Sequence, residues 1–218
     1  MAENLVITID PSLILSYLVS HTKVEENYYY LREYFLGGGD WSRILRPLDK
    51  LVQHKEIDEL FLHDKEFRTM PIYQRLLKRI RQKGCIHHNR VVLDSQENLD
   101  LYFQRYVSLH QSIRRHGLLS CSEFHQHDNR VIPQNLRDIW VERNKEDIGM
   151  AIDRDGQLYR FRGGAHRFSI ARNLGLKNIP VGVKFVHGQW LQKLMAETGL
   201  PPQGALVFGL RQVEKRYS

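Results

Sequence analysis

Apolar positions along this chain change period several times, and each change marks an element. Leu5 to Ile9 alternate and are rich in β-branched residues, the pattern of a half-buried strand; Asp10-Pro11-Ser12 then supplies a helix start ahead of Leu13, Ile14, Tyr17 and Leu18. The run Tyr28-Tyr29-Tyr30 continues towards Phe35 and stops at Gly37-Gly38-Gly39, a flexible or tightly turned loop before Asp40 and Trp41. Between Ile57 and Gly84 the spacing predicts helices with short breaks, with Ile72, Tyr73, Leu76, Leu77 and Ile80 on one face and Gly84 as the stop. Asp94 with Glu97 has the form of a capping box. Tyr102, Tyr106, Leu109 and Ile113 follow at helical intervals until His116-Gly117 gives a basic last turn and an end.

Residues 119–145 lack clean periodicity and carry Cys121, His125, His127, Pro133 and Trp140, which predicts a long insertion or lid. From Ile148 two short strands, Ile148 to Ile152 and Gln157 to Phe161, flank the hairpin turn Asp153-Arg154-Asp155-Gly156. Gly163-Gly164 leads into a helix through Ile170, Ala171 and Leu174, stopped by Gly175 and followed by a strand from Ile179 to Val186. The tail after Pro201-Pro202 is too short for another domain, and no internal repeat is found. The expected class is α/β.

Composition narrows the function classes only coarsely. Of 218 residues, 42% are hydrophobic and 26% charged, which excludes intrinsic disorder as the main description. Lys+Arg exceed Asp+Glu by 32 − 25 = 7, so an anionic partner is favoured: a nucleotide, a nucleic acid or a phosphorylated metabolite. Leu13 to Val19, interrupted by Ser16, falls far short of the ~20 apolar residues that span a bilayer, and no membrane partner is expected. The start lacks the basic, apolar and small-residue parts of a secretory signal, so the expected location is cytoplasmic. Cys85 and Cys121 read as free thiols; with His87, His88, His125 and His127 they do not match the usual zinc spacings, and no metal site is expected from them.

The turn Arg162-Gly163-Gly164-Ala165-His166-Arg167 between a strand and a helix is the most informative unit. Glycines there let the backbone approach an anion, the first helical amides and the dipole attract negative charge, and His166 and Arg167 add donors. The alternative is that two glycines merely turn the chain and both side chains face solvent. Residues Asp155 to Val181, containing Phe161-Arg162-Gly163-Gly164-Ala165-His166-Arg167 and Gly175-Leu176-Lys177-Asn178-Ile179-Pro180, resemble the strand, phosphate turn, helix and strand of the ParB/sulfiredoxin fold. Leu109 to Gly117, with Ser112-Ile113 and Gly117, resembles that family's other signature. The resemblance covers residues 95 to 186, with a first strand at Leu5 to Ile9. It implies a ParB/sulfiredoxin-like core at 95–190, a helical N-terminal segment at 1–94 forming one wall of a cleft, and a tail at 191–218.

The resemblance also implies site residues. Arg105, Ser108 and Ser112 stand where sulfiredoxin holds a nucleotide, spaced three and four apart on one helix face, and Gly163, Gly164, Ala165, His166 and Arg167 stand at its phosphates. By spacing alone the two serines read as exposed or capping hydroxyls. Sulfiredoxin's reactive thiol is replaced by Ala165, which excludes sulfinic-acid repair. The ParB proteins that read DNA carry a helix-turn-helix domain, for which Trp190 to Ser218 are too few.

The branch resembling the free serine kinases fits best, and it implies a nucleotide-dependent phosphotransferase that uses ATP or ADP, or else CTP, with Mg²⁺ and a small hydroxylated acceptor. Its carboxylate would be Asp40 in Gly37-Gly38-Gly39-Asp40-Trp41, with His166 as the second catalytic residue. Asp40 can equally cap the next helix; Asp147, Asp153 and Asp155 are rival acids, the last two flanking a hairpin. Gly39-Asp40-Trp41 together with His187-Gly188-Gln189-Trp190 also resembles uncharacterised microbial proteins of this fold. The alternative function is a non-catalytic nucleotide-controlled or nucleic-acid-binding module, kept open by Lys78-Arg79-Ile80-Arg81-Gln82-Lys83, which otherwise reads as the solvated side of its helix.

Overall fold

The computed structural model describes residues 5–19, 35–63, 66–89, 91–118 and 148–218, and the backbone of 21–24 and 27–30. The expected insertion at 119–145, with Cys121, His125, His127, Pro133 and Trp140, lies outside the described residues, as does the rival acid Asp147.

Strand β1 (Val6–Ile9) forms as its alternation demands, burying Ile7 and Ile9. The helix expected after it is a single 3-10 turn, Pro11–Leu13, capped by Asp10, whose side chain accepts from Ser12 N at 2.8 Å. The chain is extended again at Ile14 and enters β2 (Ser16–Leu18). One turn is a costly nucleus, whereas Tyr17 and Leu18 complete ladders with Arg160 and Leu45, so sheet pairing overrides the local helix start. Residues around the tyrosine run are also strand: β3 (His21–Val24) and β4 (Asn27–Tyr30) form a two-stranded antiparallel ribbon. Two short strands, β5 (Leu36–Gly37) and β6 (Leu45–Pro47), flank the 3-10 turn Trp41–Ile44.

Helices α1 (Val52–Leu62) and α2 (Pro71–Lys83) follow, the latter with its five apolar positions buried and Gly84 as its C-cap. The hairpin β7 (Ile86–His88) and β8 (Val91–Leu93) leads to α3 (Gln96–His116). The cap of α3 is Ser95, which accepts from Asn98 N at 3.2 Å, while Asp94 accepts from the Asn98 side chain; the cap lies one residue after the expected Asp94, and the box expected with Glu97 does not form. Then come β9 (Gly149–Ile152), β10 (Leu158–Arg160), α4 (Ala165–Asn173) and β11 (Ile179–His187). Past β11 the chain forms α5 (Gly188–Thr198) and α6 (Pro202–Tyr217), so the tail beyond Pro201 is a helix packed on β1 and α5.

The main sheet has the order β1-β11-β9-β10-β2-β6, with β5 also pairing β11, and mixes parallel and antiparallel neighbours. The protein is therefore mixed α/β. One face, through Met150, Ile152, Val181 and Val183, packs on α4, α5 and α6. The other, through Ala151, Phe161 and Phe185, is covered by Leu18, Trp41 and Ile44. A second apolar core lies among α1, α2, α3 and β7–β8. Helix α4 belongs to both cores: Phe168 and Ala171 enter the first, Ile170 the second. Burial on two sides explains why its buried residues, Phe168 to Ala171, run consecutively instead of forming a stripe. Among the described residues no helix is long and apolar enough to cross a membrane.

Candidate functional site

The strand-to-helix turn is built from beneath. Arg160, fully buried at the end of β10, donates to Gly149 O at 2.9 Å and to Gly163 O, while Gly149 N donates to Arg162 O at 3.0 Å. Gly163 and Gly164 then take φ of 76° and 56°, and Phe168 N reaches Gly164 O at 2.9 Å to close the first turn of α4. A Cβ at Gly164 would lie 2.8 Å from Ile148 Cγ1 and 3.1 Å from its Cα, so both the backbone conformation and the space require glycine. Ala165, His166 and Arg167 occupy the first three helical positions, whose amides have no intrahelical acceptor. Local sequence is enough to build this cradle.

The surroundings of His166 are not local. Its ring stacks on Tyr106 of α3 with centroids 4.1 Å apart, and its Nε2 lies 3.6 Å from Glu56 Oε2. Glu56 projects from α1, and its side chain is only 1% exposed. His88 Nε2 donates to its Oε1; Asn89 Nδ2 and Tyr102 OH donate to Oε2 at 2.8 and 3.0 Å. Asn89 is the single non-glycine residue with positive φ among those described, 46°, at the tip between β7 and β8, and Gln53 holds its Oδ1 at 3.0 Å. A strained turn thus delivers two donors to a buried carboxylate. Burial alone would raise the Glu56 pKa, but the polar edges of the His166 and His88 rings turned to its oxygens outweigh it and bring it down to about 2. Burial pushes the His166 pKa below its usual value against the pull of Glu56, so near neutral pH the carboxylate is charged and the imidazole neutral.

No family model matches this chain, and no curated protein or solved structure does either. The chemistry follows from the chain's own geometry.

Arg105, Ser108 and Ser112 share one face of α3, a step around the helix from Tyr106; Arg105 is exposed, and the serines are partly so. The Arg105 guanidinium lies 5.7 Å from the centre of the Tyr106 ring, on which His166 stacks, and the serines lead away from it along some 10 Å of helix. Asp40 is not part of this group. Its carboxylate caps the Trp41–Ile44 turn, accepting from Ser42 N at 3.0 Å and Ser42 Oγ at 2.9 Å, with Arg154 3.7 Å away. These hydrogen bonds, then Arg154, lower its pKa. Arg154 belongs to the hairpin tip of β9–β10, the end of the sheet opposite Gly163-Gly164, and Trp41 packs on the face opposite α4. The sheet therefore separates Asp40 from His166, and capping is what the structure assigns to it. Gly39-Asp40-Trp41 and His187-Gly188-Gln189-Trp190 do meet: His187 Nε2 donates to Gly39 O at 3.0 Å, its Nδ1 accepts from Gln189 N, and Trp41 stacks on Phe185 at 4.8 Å. Asp153 serves its hairpin, accepting from Asp155 N and Gln157 N at 2.9 and 2.8 Å.

Sequence reasoning missed Glu56, His88, Asn89, Tyr102 and Tyr106 as a group. A signal was present: Glu56 lies four residues before Leu60 and one before Ile57, on the apolar face of its own helix, where an ionised side chain must find partners. Among the described residues no set of three His, Cys, Asp or Glu could hold a metal ion, and both oxygens of Glu56 are occupied by donors. The described residues beside the turn therefore do not fit a protein-held Mg²⁺. Cys85 and His87 are exposed while His88 turns inward to Glu56.

Acid should weaken this fold in two stages. His54, whose Nδ1 bonds Ser169 Oγ at 2.8 Å, and His166 both have lowered pKa values, chiefly from burial, relative to 6.5 in the unfolded chain. The unfolded state takes up protons first, so stability is full above about pH 6.5 and falls below it. Glu56, about 2 folded against 4.5 unfolded, adds a loss of about 3 kcal/mol as pH drops from 4.5 towards 2. Urea midpoints measured across this range should decline in both windows; a midpoint independent of pH would contradict the buried charge assignment.

Proposed function

We propose that the chain is a ParB/sulfiredoxin-type phosphotransferase that takes a phosphoryl group from a nucleoside di- or triphosphate and passes it to the hydroxyl of a small metabolite. One observation carries this reading. The paired left-handed glycines start α4 at the point where His166 is fixed by Glu56 and Tyr106, with Arg167 next in sequence and Arg105 on the adjoining helix. The first amides of α4 are open to an anion there, and Arg167 on the same turn and Arg105, whose guanidinium lies 5.7 Å from the Tyr106 ring centre, supply positive charge of the kind that a polyphosphate requires. The face of α3 bearing Ser108 and Ser112 continues from Arg105 and is the place for the nucleoside.

Glu56 takes over the part expected of Asp40, in a different role. Its oxygens are filled by His88, Asn89 and Tyr102, so it cannot accept a proton from an incoming hydroxyl; it orients the His166 ring. Thermal shift with ATP, ADP, CTP and GTP tests the reading directly, because a ligand of the native state raises the melting temperature. At least one nucleotide should do so, and turnover with it should vanish in His166→Ala and persist in Asp40→Ala. Lack of any shift, or normal turnover without His166, would overturn the proposal.

A second reading has its own observation. The outer face of α2 exposes Arg75, Lys78, Arg79, Arg81 and Lys83, and that helix contains no acidic residue. A nucleotide-controlled module that grips nucleic acid through this face would bind duplex DNA with steep salt dependence and leave the nucleotide phosphates intact.

A further inference from the structure

We propose that His166 is the phosphoryl carrier: its Nδ1 takes the terminal phosphoryl group of the donor, forming a phosphohistidine, and then delivers it to the acceptor hydroxyl. This rests on the nucleotide reading of the turn and specifies the route the group takes.

The two ring nitrogens are differently disposed. Nε2 is sealed from solvent without a hydrogen-bond partner and faces Glu56 at 3.6 Å. The side chain is 19% exposed, and Nδ1 is not among the sealed atoms. In any histidine Nδ1 lies close to its own backbone while Nε2 lies at the far edge of the ring. A group on Nδ1 is therefore carried on the edge of the ring away from Glu56 and nearer the start of α4, where His166 is the second residue. The Tyr106 stack at 4.1 Å and the Glu56 contact together fix the ring plane, so Nδ1 is held facing one way. Burial keeps the ring neutral at rest, which leaves the Nδ1 lone pair available once Nε2 carries the proton.

The step balances without a further reactant. The Nδ1 lone pair attacks the terminal phosphorus, the bond from phosphorus to the bridging oxygen breaks, and its electrons leave with the shortened nucleotide. The Nε2 proton stays on the ring facing Glu56, whose charge offsets the positive charge that the ring acquires. In the second half the acceptor oxygen attacks phosphorus, the P–N electrons return to Nδ1, and the hydroxyl proton passes to solvent. Glu56 is a positioning residue here, since it touches neither phosphorus nor acceptor.

Potassium phosphoramidate phosphorylates a reactive imidazole without any nucleotide, so it probes the carrier apart from the cradle. The full chain is treated with phosphoramidate and, separately, with each γ-labelled nucleoside triphosphate, then analysed for acid-labile, alkali-stable label by peptide mapping and ³¹P resonance. The expected result is one label on His166 Nδ1 from both sources, absent in His166→Gln, with labelling more than tenfold slower in Glu56→Gln while circular dichroism confirms that both variants fold. If Glu56→Gln does not fold, Tyr106→Leu, which removes the stacked ring, should show the same slowing. Label from phosphoramidate alone would support the carrier and overturn the nucleotide reading. Nucleotide-induced stabilisation and product formation with no phosphoenzyme in single-turnover quench would overturn the carrier and leave the nucleotide reading standing. Label on other histidines but not His166 would also overturn the carrier.

Discussion

Glu56→Ala is expected to lower the melting temperature by about 10 °C, the larger of two strong effects. The substitution deletes the acceptor shared by His88, Asn89 and Tyr102 and leaves those donors facing a cavity. Removing one side of a buried charged network costs about 3–5 kcal/mol, because the groups left behind stay desolvated. In a chain of this size each kcal/mol shifts the midpoint by about 2–4 °C. The tip between β7 and β8 should loosen as well, since the left-handed Asn89 is held in place by its bonds to Glu56 and Tyr102. Calorimetry of Glu56→Ala beside His88→Ala checks the ranking: alanine at 56 should cost more, since it strands three donors where the other leaves two further donors on the carboxylate. A change of only a degree or two would mean that water replaces the lost carboxylate.

Gly164→Ala is expected to destabilise by about 3 kcal/mol and to abolish any nucleotide-induced thermal shift. Placing a Cβ at φ 56° costs about 1 kcal/mol, and the collision with Ile148, 2.8 Å from its Cγ1 and 3.1 Å from its Cα, adds about 1–3 kcal/mol of overpacking. Gly199→Ala is the internal reference. Gly199 caps α5 at φ 67°, and a Cβ there meets nothing within 4 Å, so it carries only the backbone cost. The difference between the two in chemical denaturation isolates the packing of the turn on Ile148. Equal losses would show that the turn tolerates displacement and is not held tightly enough to preorganise a phosphate site.

Most elements from Ile148 onward were legible because their determinants are close in sequence. The β9–β10 hairpin follows from Asp153 to Gly156, whose turn bonds span four residues or fewer, and the start of α4 follows from two glycines that can adopt positive φ. Helix α2 was legible for the same reason, with a clean apolar face and a glycine stop. The helix expected after Asp10 failed because its start signal is also local, while the competing pairings of Tyr17 with Arg160 and Leu18 with Leu45 are not. Helices α5 and α6 were not foreseen, although His187 at the α5 cap and Pro202 at the start of α6 are ordinary start signals. Ser95 in place of Asp94 at the α3 cap is a one-residue shift, of the size that cap chemistry alone leaves open.

The site divides along the same line. The sequence by itself determined the two-glycine turn into α4, because Arg162 to Arg167 carry the glycines, the helix start and the cationic side chains in one contiguous stretch. It also determined that Arg105, Ser108 and Ser112 share a helix face. Only the tertiary structure decided which carboxylate stands beside His166. Asp40 is closer to a loop rich in glycine and looked the part, but Trp41 buries itself on the far face of the sheet and carries Asp40 away. Glu56 meets the His166 ring from 110 residues away along the chain, and its contacts with His88 and Tyr102 close loops of 32 and 46 residues. Backbone conformation is set by neighbours along the chain, whereas the charge state of a carboxyl is set by what surrounds it in space, and that is settled only when distant segments pack.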